Sequence, residues 1–234
     1  MRMRAAALQR YLARARARYG DQTLTWLTIL LVVLTFVIIP LHASGLIGAQ
    51  GYGLAIVLVT ASCILGAPAG TGSVIVMVFG VALALAAAAV RFMGHPRPGT
   101  YLDSAAWITV SAVLAYVVSR SAFAPGRVTY HRINGAVLLY LTIGQIFVGL
   151  YGLTGLFAPH AFSGLNFAEE NPRLASDLIY FSFVTLTTVG YGDITPVHPI
   201  ARSLCNLEAI IGQLYPATLL ARLVTLELED RHRR

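Results

Sequence analysis

The sequence contains no lysine and little charge of either sign: its 17 basic residues are all arginine, 10 residues are acidic, and charged residues make up 12% of 234. Hydrophobic residues account for 57% and the mean hydropathy is +0.71, beyond what a soluble domain carries. From residue 22 to residue 90 there is no charged side chain at all. One aqueous core could not bury that run, whereas at about 20 residues per crossing it holds up to three membrane helices joined by tight turns. The chain reads as an integral membrane protein of the all-α class.

Other scarcities narrow the function. There are two cysteines, Cys63 and Cys205; both fall inside predicted spans, where a thiol behaves as a small apolar residue, so neither a disulfide nor a metal site is expected. The six histidines show no spacing that pairs two on one helix face, and only His198 stands out, because it flanks the motif described below. There is no Ser-His-Asp order, no glycine-rich phosphate loop and no paired-carboxylate cluster. Glu169 and Glu170 are adjacent in "NFAEENPR", which reads as a solvated loop. Nothing supports an enzyme, and no cofactor is expected.

Glycine and proline punctuation predicts six spans: Thr23 to Pro40, Tyr52 to Leu65, Ser73 to Phe92, Tyr101 to Ser119, Ile133 to Phe157 and Ile200 to Leu226. A half-length apolar run, Leu174 to Thr187, precedes the sixth. With six crossings both termini share one side. Thirteen arginines then lie on that side, and only Arg91, Arg97, Arg173 and Arg202 on the other. This asymmetry puts both termini in the cytoplasm and the chain in the cell (inner) membrane. The net charge of +7 then reflects topology and contact with anionic lipid headgroups, not nucleic-acid binding. Residues 1–22, with Arg10, Arg14 and Arg18 on one stripe and Leu8, Leu12, Ala15 and Tyr19 nearer the other, read as a cytoplasmic basic amphipathic helix at the interface.

The informative stretch is "FVTLTTVGYGDITP", Phe183 to Pro196. Irregular backbone at membrane depth is tolerated only where protein buries it or where it lines a watery path. A filter for a dehydrated cation needs a ring of oxygens in place of the hydration shell, which several copies of one extended strand can supply. Glycine at alternate positions, Gly190 and Gly192, permits the left-handed dihedrals that keep successive carbonyls on one side, and Thr188 can add its hydroxyl. The preceding half-helix is too short to cross but can aim a partially negative C-terminus at the membrane centre.

"TTVGYGD", preceded by a short helix and followed by a long inner one, resembles the selectivity-filter signature of the potassium channel family. The resemblance covers Ile133 to Glu229 as outer helix, pore helix, filter and inner helix; the first four spans carry no family signature. Together with the spans and the basic segment placed above, it divides the chain into a basic segment (1–22), a four-helix membrane domain (23–120), a pore domain (132–229) and a short cytoplasmic tail (230–234). It implies that Thr188, Val189, Gly190, Tyr191 and Gly192 coordinate potassium, with Thr187 closing the pore helix and Asp193 behind the filter at the outer mouth. There Tyr180 replaces a tryptophan donor, and Val184 stands where some relatives have a glutamate, so the resemblance implies a thinner supporting network. One filter strand per chain implies a homotetramer passing K⁺ passively. The alternatives are a weakly selective cation channel, a potassium-transporter subunit and a non-conducting channel-like sensor.

Three inner-helix residues are gating candidates. Gly212, twenty residues after Gly192, matches the family's hinge, and close helix packing is its alternative role. Pro216 removes a backbone hydrogen bond and predicts a bend near 212–216. Glu208 is an acid in the interior of a span, a functional candidate by default. Helical register sets it about 100° from the stripe of Ala209, Gln213, Pro216 and Leu220. It is therefore expected to face the pore or outer helix, protonated or hydrogen-bonded to Thr185, Thr187 or Asn206 of a neighbour. The fourth span contains no arginine, which excludes conventional voltage sensing.

Overall fold

The computed structural model describes residues 25–47, 71–93, 96–122, 130–158, 160–167 and 173–232. The basic segment 1–22, the expected span Tyr52 to Leu65 and the loop carrying Glu169 and Glu170 lie outside these residues. The described chain is helical apart from two short strands. Its elements in order are α1 (Thr25–Ala43), α2 (Thr71–Phe92), α3 (Pro96–Ala122), α4 (Tyr130–Phe157), β1 (Phe162–Ser163), α5 (Leu174–Leu186), β2 (Thr195–Pro196) and α6 (Pro199–His232).

Three described helices are long and apolar enough to cross a membrane: Thr25–Ala43, Tyr101–Arg120 and Ile133–Phe157. Ile75–Val90 and Leu174–Leu186 are shorter apolar helices. The helix ends differ from the punctuation reading at α3 and α6, which begin at Pro96 and Pro199 instead of Tyr101 and Ile200. Proline was read as a break, but at the first helical position its missing N–H has no partner to lose and its fixed φ suits the helix. Inside α1 the helix runs past Pro40, where the punctuation reading ends the first span, as far as Ala43. Pro40 cannot bond the carbonyl four residues back, and the turn before it, Leu34–Ile38, widens into a π-helix in which the Ile39 N–H reaches the Leu34 carbonyl.

Small residues set how the helices meet. On α4, a Cβ at Gly149 would collide with the Ile108 side chain of α3, and one at Gly152 would lie 2.8 Å from Ser104 Oγ. Both glycines bring the α3 backbone close to α4. A polar chain ties α1 into the same seam: Trp107 Nε1 donates to Gln145 Oε1 at 3.0 Å, and Gln145 Nε2 donates to Thr35 Oγ1 at 2.8 Å. Asn134 Nδ2 adds a bond to Thr25 Oγ1 at 3.1 Å.

The other side of α4 carries α5 and α6. Tyr151 is fully buried and sits in an aromatic cluster, its ring centroid 5.0 Å from Phe181, 5.6 Å from Phe162 and 6.0 Å from Phe147. Further along, Tyr215 of α6 donates to the Ala136 carbonyl at 2.7 Å and stacks on Tyr140 at 5.6 Å. The short helix α5 is thus clasped between α4 and α6, with Phe36 of α1 against its Phe183 edge-on at 5.2 Å.

Candidate functional site

The site begins at the end of α5. Apolar residues Leu178, Ile179, Phe181 and Leu186 bury its inner face, and Thr187 terminates it with ψ near 0° while its N–H still reaches the Phe183 carbonyl. The chain does not turn away as it would after an ordinary helix. It folds back so that its next donors satisfy the helix's orphan carbonyls: Thr188 N–H bonds Thr185 O at 2.9 Å, and Val189 and Gly190 N–H both bond Val184 O, at 2.9 and 3.4 Å. Val184, whose side chain stands where some relatives of the resembled family have a glutamate, contributes here through its backbone oxygen.

Because N–H and C=O of one trans peptide point opposite ways, the carbonyls of Thr187, Thr188 and Val189 are directed away from α5. Positive φ recurs at every second residue beyond the helix: Thr188 at 57°, Gly190 at 57° and Gly192 at 82°. The glycines were expected there. Thr188 was not, since a β-branched residue in this region is a rare outlier, and nothing in the local sequence announces it. Val189 and Tyr191 are 53% and 71% exposed in the single chain, a large apolar and aromatic surface along an otherwise ordered strand.

The outer end of the strand is braced in two ways. Tyr191 stacks on Tyr180 with parallel rings at 6.2 Å, and the Tyr180 hydroxyl is within hydrogen-bonding reach of the Asp193 carboxylate. Beyond them β1 and β2 form an antiparallel ribbon, Phe162 opposite Pro196 and Ser163 opposite Thr195. Val197 and His198 N–H both bond Ala161 O, and the Arg202 guanidinium donates to Pro196 O at 3.1 Å. Gly164, at φ 86°, lies so close to the Asp193 carbonyl that a Cβ would collide with it. The thin support expected at the outer mouth is therefore supplemented by a ribbon invisible to sequence patterning, each strand being two residues long.

The base of the site is where α6 meets α5. Gly212 is the point of contact: a Cβ there would overlap the Leu186 carbonyl oxygen, which also accepts from Tyr140 at 3.4 Å. The helix remains continuous through Gly212 and Pro216. One turn before Gly212, Glu208 is fully buried among three helices. Tyr151 of α4 donates to Glu208 Oε2, and Ser182 of α5 lies 2.5 Å from Glu208 Oε1. The carboxyl thus faces α5 and α4, as helical register suggested, but its partners differ from the expected ones. Thr185 and Thr187 give their hydrogens to carbonyls of their own helix, Phe181 O and Phe183 O, and Asn206 is exposed. Gln213, Pro216 and Leu220, on the opposite stripe, are exposed in the single chain.

A half-length helix followed by a strand of alternating handedness is thus held between two long helices. A model of the ion channel family matches residues 137–228, which takes in α4 from its first turns, the whole site and most of α6. The chain is 37% identical over 71 residues to the inward rectifier potassium channel Kirbac3.1 of Paramagnetospirillum magnetotacticum, covering 30% of this chain and 24% of that protein. It is 35% identical over 80 residues to protein LctB of Geobacillus stearothermophilus, covering 33% and 59% respectively. A rice protein, two pore potassium channel c of Oryza sativa subsp. japonica, is 34% identical over 93 residues, 40% of this chain and 18% of that one. In each case less than two thirds of the relative's length is spanned. No solved structure matches the chain significantly. Residues 137–228 thus match an ion channel family model and are similar to proteins named as potassium channels.

Proposed function

We propose that this protein is a potassium-selective channel that lets K⁺ pass down its gradient through a central pore formed by four copies of the chain. In this reading the chain crosses the cell membrane six times with both termini in the cytoplasm. The observation that carries it is the strand Thr188 to Gly192. Positive φ at alternate residues and N–H groups drawn back onto the end of α5 free a column of carbonyls on the opposite side. Such oxygens can replace the hydration shell of a monovalent cation. One chain supplies one strand, so a closed ring of oxygens requires further copies, and the exposed Val189 and Tyr191 lie where those copies would pack. Relatives named as potassium channels support the choice of ion.

The test is flux from liposomes containing the purified protein. Wild type is expected to pass potassium well above sodium. Gly190→Ala places a methyl group on a residue at φ 57° and should abolish potassium flux while leaving the assembly intact, because strain there displaces the carbonyls. Unchanged selectivity in that variant would overturn the assignment of the filter.

A further inference from the structure

The hydrogens around Glu208 can be counted. Ser182 Oγ lies 2.9 Å from the Gly144 carbonyl of α4 and 2.5 Å from Glu208 Oε1, and Tyr151 donates to Oε2. A serine hydroxyl has one hydrogen, so it can serve only one of its two close oxygens. If Glu208 is ionised, Ser182 must turn its hydrogen toward the carboxylate. Ser182 Oγ and Gly144 O then face each other at hydrogen-bond distance with nothing between them. If Glu208 carries a proton, the set closes: Glu208 donates to Ser182, Ser182 donates to Gly144 O, and Tyr151 donates to the second carboxyl oxygen.

The surroundings agree. The titratable groups facing Glu208 among the described residues are Tyr151 and Tyr140 from α4 and Cys205 from its own helix, while α5 faces it with Ser182. None of these is a cation, and a fully buried carboxylate with no counter-charge is costly.

The geometry points to Glu208 as a neutral hydrogen-bond donor, a positioning residue that links α6 through Ser182 to the α4 backbone and so fixes the pore helix. Ser182 is two residues from Val184, whose carbonyl holds the N–H groups of Val189 and Gly190, so this relay sets where the strand begins. The neutral form is the one in which every hydrogen of the set has an acceptor. As pH rises, ionisation draws the Ser182 hydrogen away from Gly144, removes the link between α5 and α4 and lowers flux. This inference uses the channel reading only for its effect on flux.

The test has two arms. Infrared difference spectra of wild type against Glu208→Gln at neutral pH should show the C=O stretch of a protonated carboxylic acid, shifted in D₂O; carboxylate bands in its place would overturn the proposal. Potassium flux from liposomes should fall on the alkaline side in wild type and lose that fall in Glu208→Gln, whose amide keeps both a donor and an acceptor. Identical pH profiles would overturn the link to the filter. Should Glu208→Gln fail to assemble, Ser182→Ala serves: its acid should keep the protonated band but shift it, having lost its acceptor, and an unshifted band would refute the relay. The infrared arm needs no conduction, so failure of the channel reading leaves it standing.

Discussion

At the scale of single residues, the site depends on atoms that are missing as much as on those present. Gly212 lets the α6 backbone rest against the Leu186 carbonyl, where any side chain would overlap a backbone atom. A Cβ added at Gly152 would meet Ser104 Oγ at 2.8 Å, an atom that can rotate aside. The two glycines therefore should not respond alike. Gly212→Ala is expected to lower the thermal stability of the assembly by about 1–3 kcal/mol or to prevent it, since over-packing against backbone cannot relax by a rotamer change. Gly152→Ala should cost well under that. Thermal unfolding of the two variants in detergent measures the difference. A Gly212→Ala protein with wild-type stability and altered opening would instead favour a hinge at this position. Part of this was legible beforehand: helical register alone turned Glu208 away from the exposed stripe. Its partners were not, because Tyr151 lies 57 residues away in sequence and only the packing of α4, α5 and α6 brings the three side chains together.

Among elements, the helices were readable and their braces were not. Long apolar runs mark α1, α3 and α4 because a membrane segment must satisfy its backbone internally, which leaves hydropathy as a strong signal. The ribbon of β1 and β2 has no such signal, since two residues per strand set up no alternation. Neither does the π-turn of α1, which follows from Pro40 but leaves the helix apolar throughout. The ribbon nonetheless reaches the far end of the strand Thr188–Gly192 through Gly164, which lies against the Asp193 carbonyl. Gly164→Ala should bring two penalties: a left-handed dihedral, roughly 1–2 kcal/mol for a residue with a Cβ, and a collision with the Asp193 carbonyl. Gly45 is the natural control, because it shares the positive φ, at 79°, but has nothing within 4 Å of an added Cβ. Both alanine variants should lose some thermal stability, and only Gly164→Ala should also reduce potassium flux. Equal flux in the two would show that the ribbon does not act on the strand.

For the whole molecule, the question is what the helices ahead of the pore segment do to it. They lie directly on it, with α3 seated against Gly149 and Gly152 of α4, and α1 joined to both by Gln145, Thr35 and Trp107. A voltage-sensing helix must carry charge through the field and must slide or tilt to do so. In α3, residues 101 to 119 include no arginine. Arg120, at the end of that stretch, donates to the Tyr116 hydroxyl at 3.0 Å and lies over its ring at 5.8 Å. Each elementary charge crossing the membrane would contribute about 2.3 kcal/mol per 100 mV, and α3 has no ladder of arginines between residues 101 and 119 to supply that coupling. Glycine contacts that fit Ile108 and Ser104 into α4 would also be lost in any displacement along the helix axis. Open probability in planar bilayers should therefore change little between about −100 and +100 mV, the range over which even one gating charge would be visible. A steep sigmoidal conductance curve, persisting with purified lipids and no blocking ions, would show that charge moves elsewhere in the chain and would overturn this reading of α3.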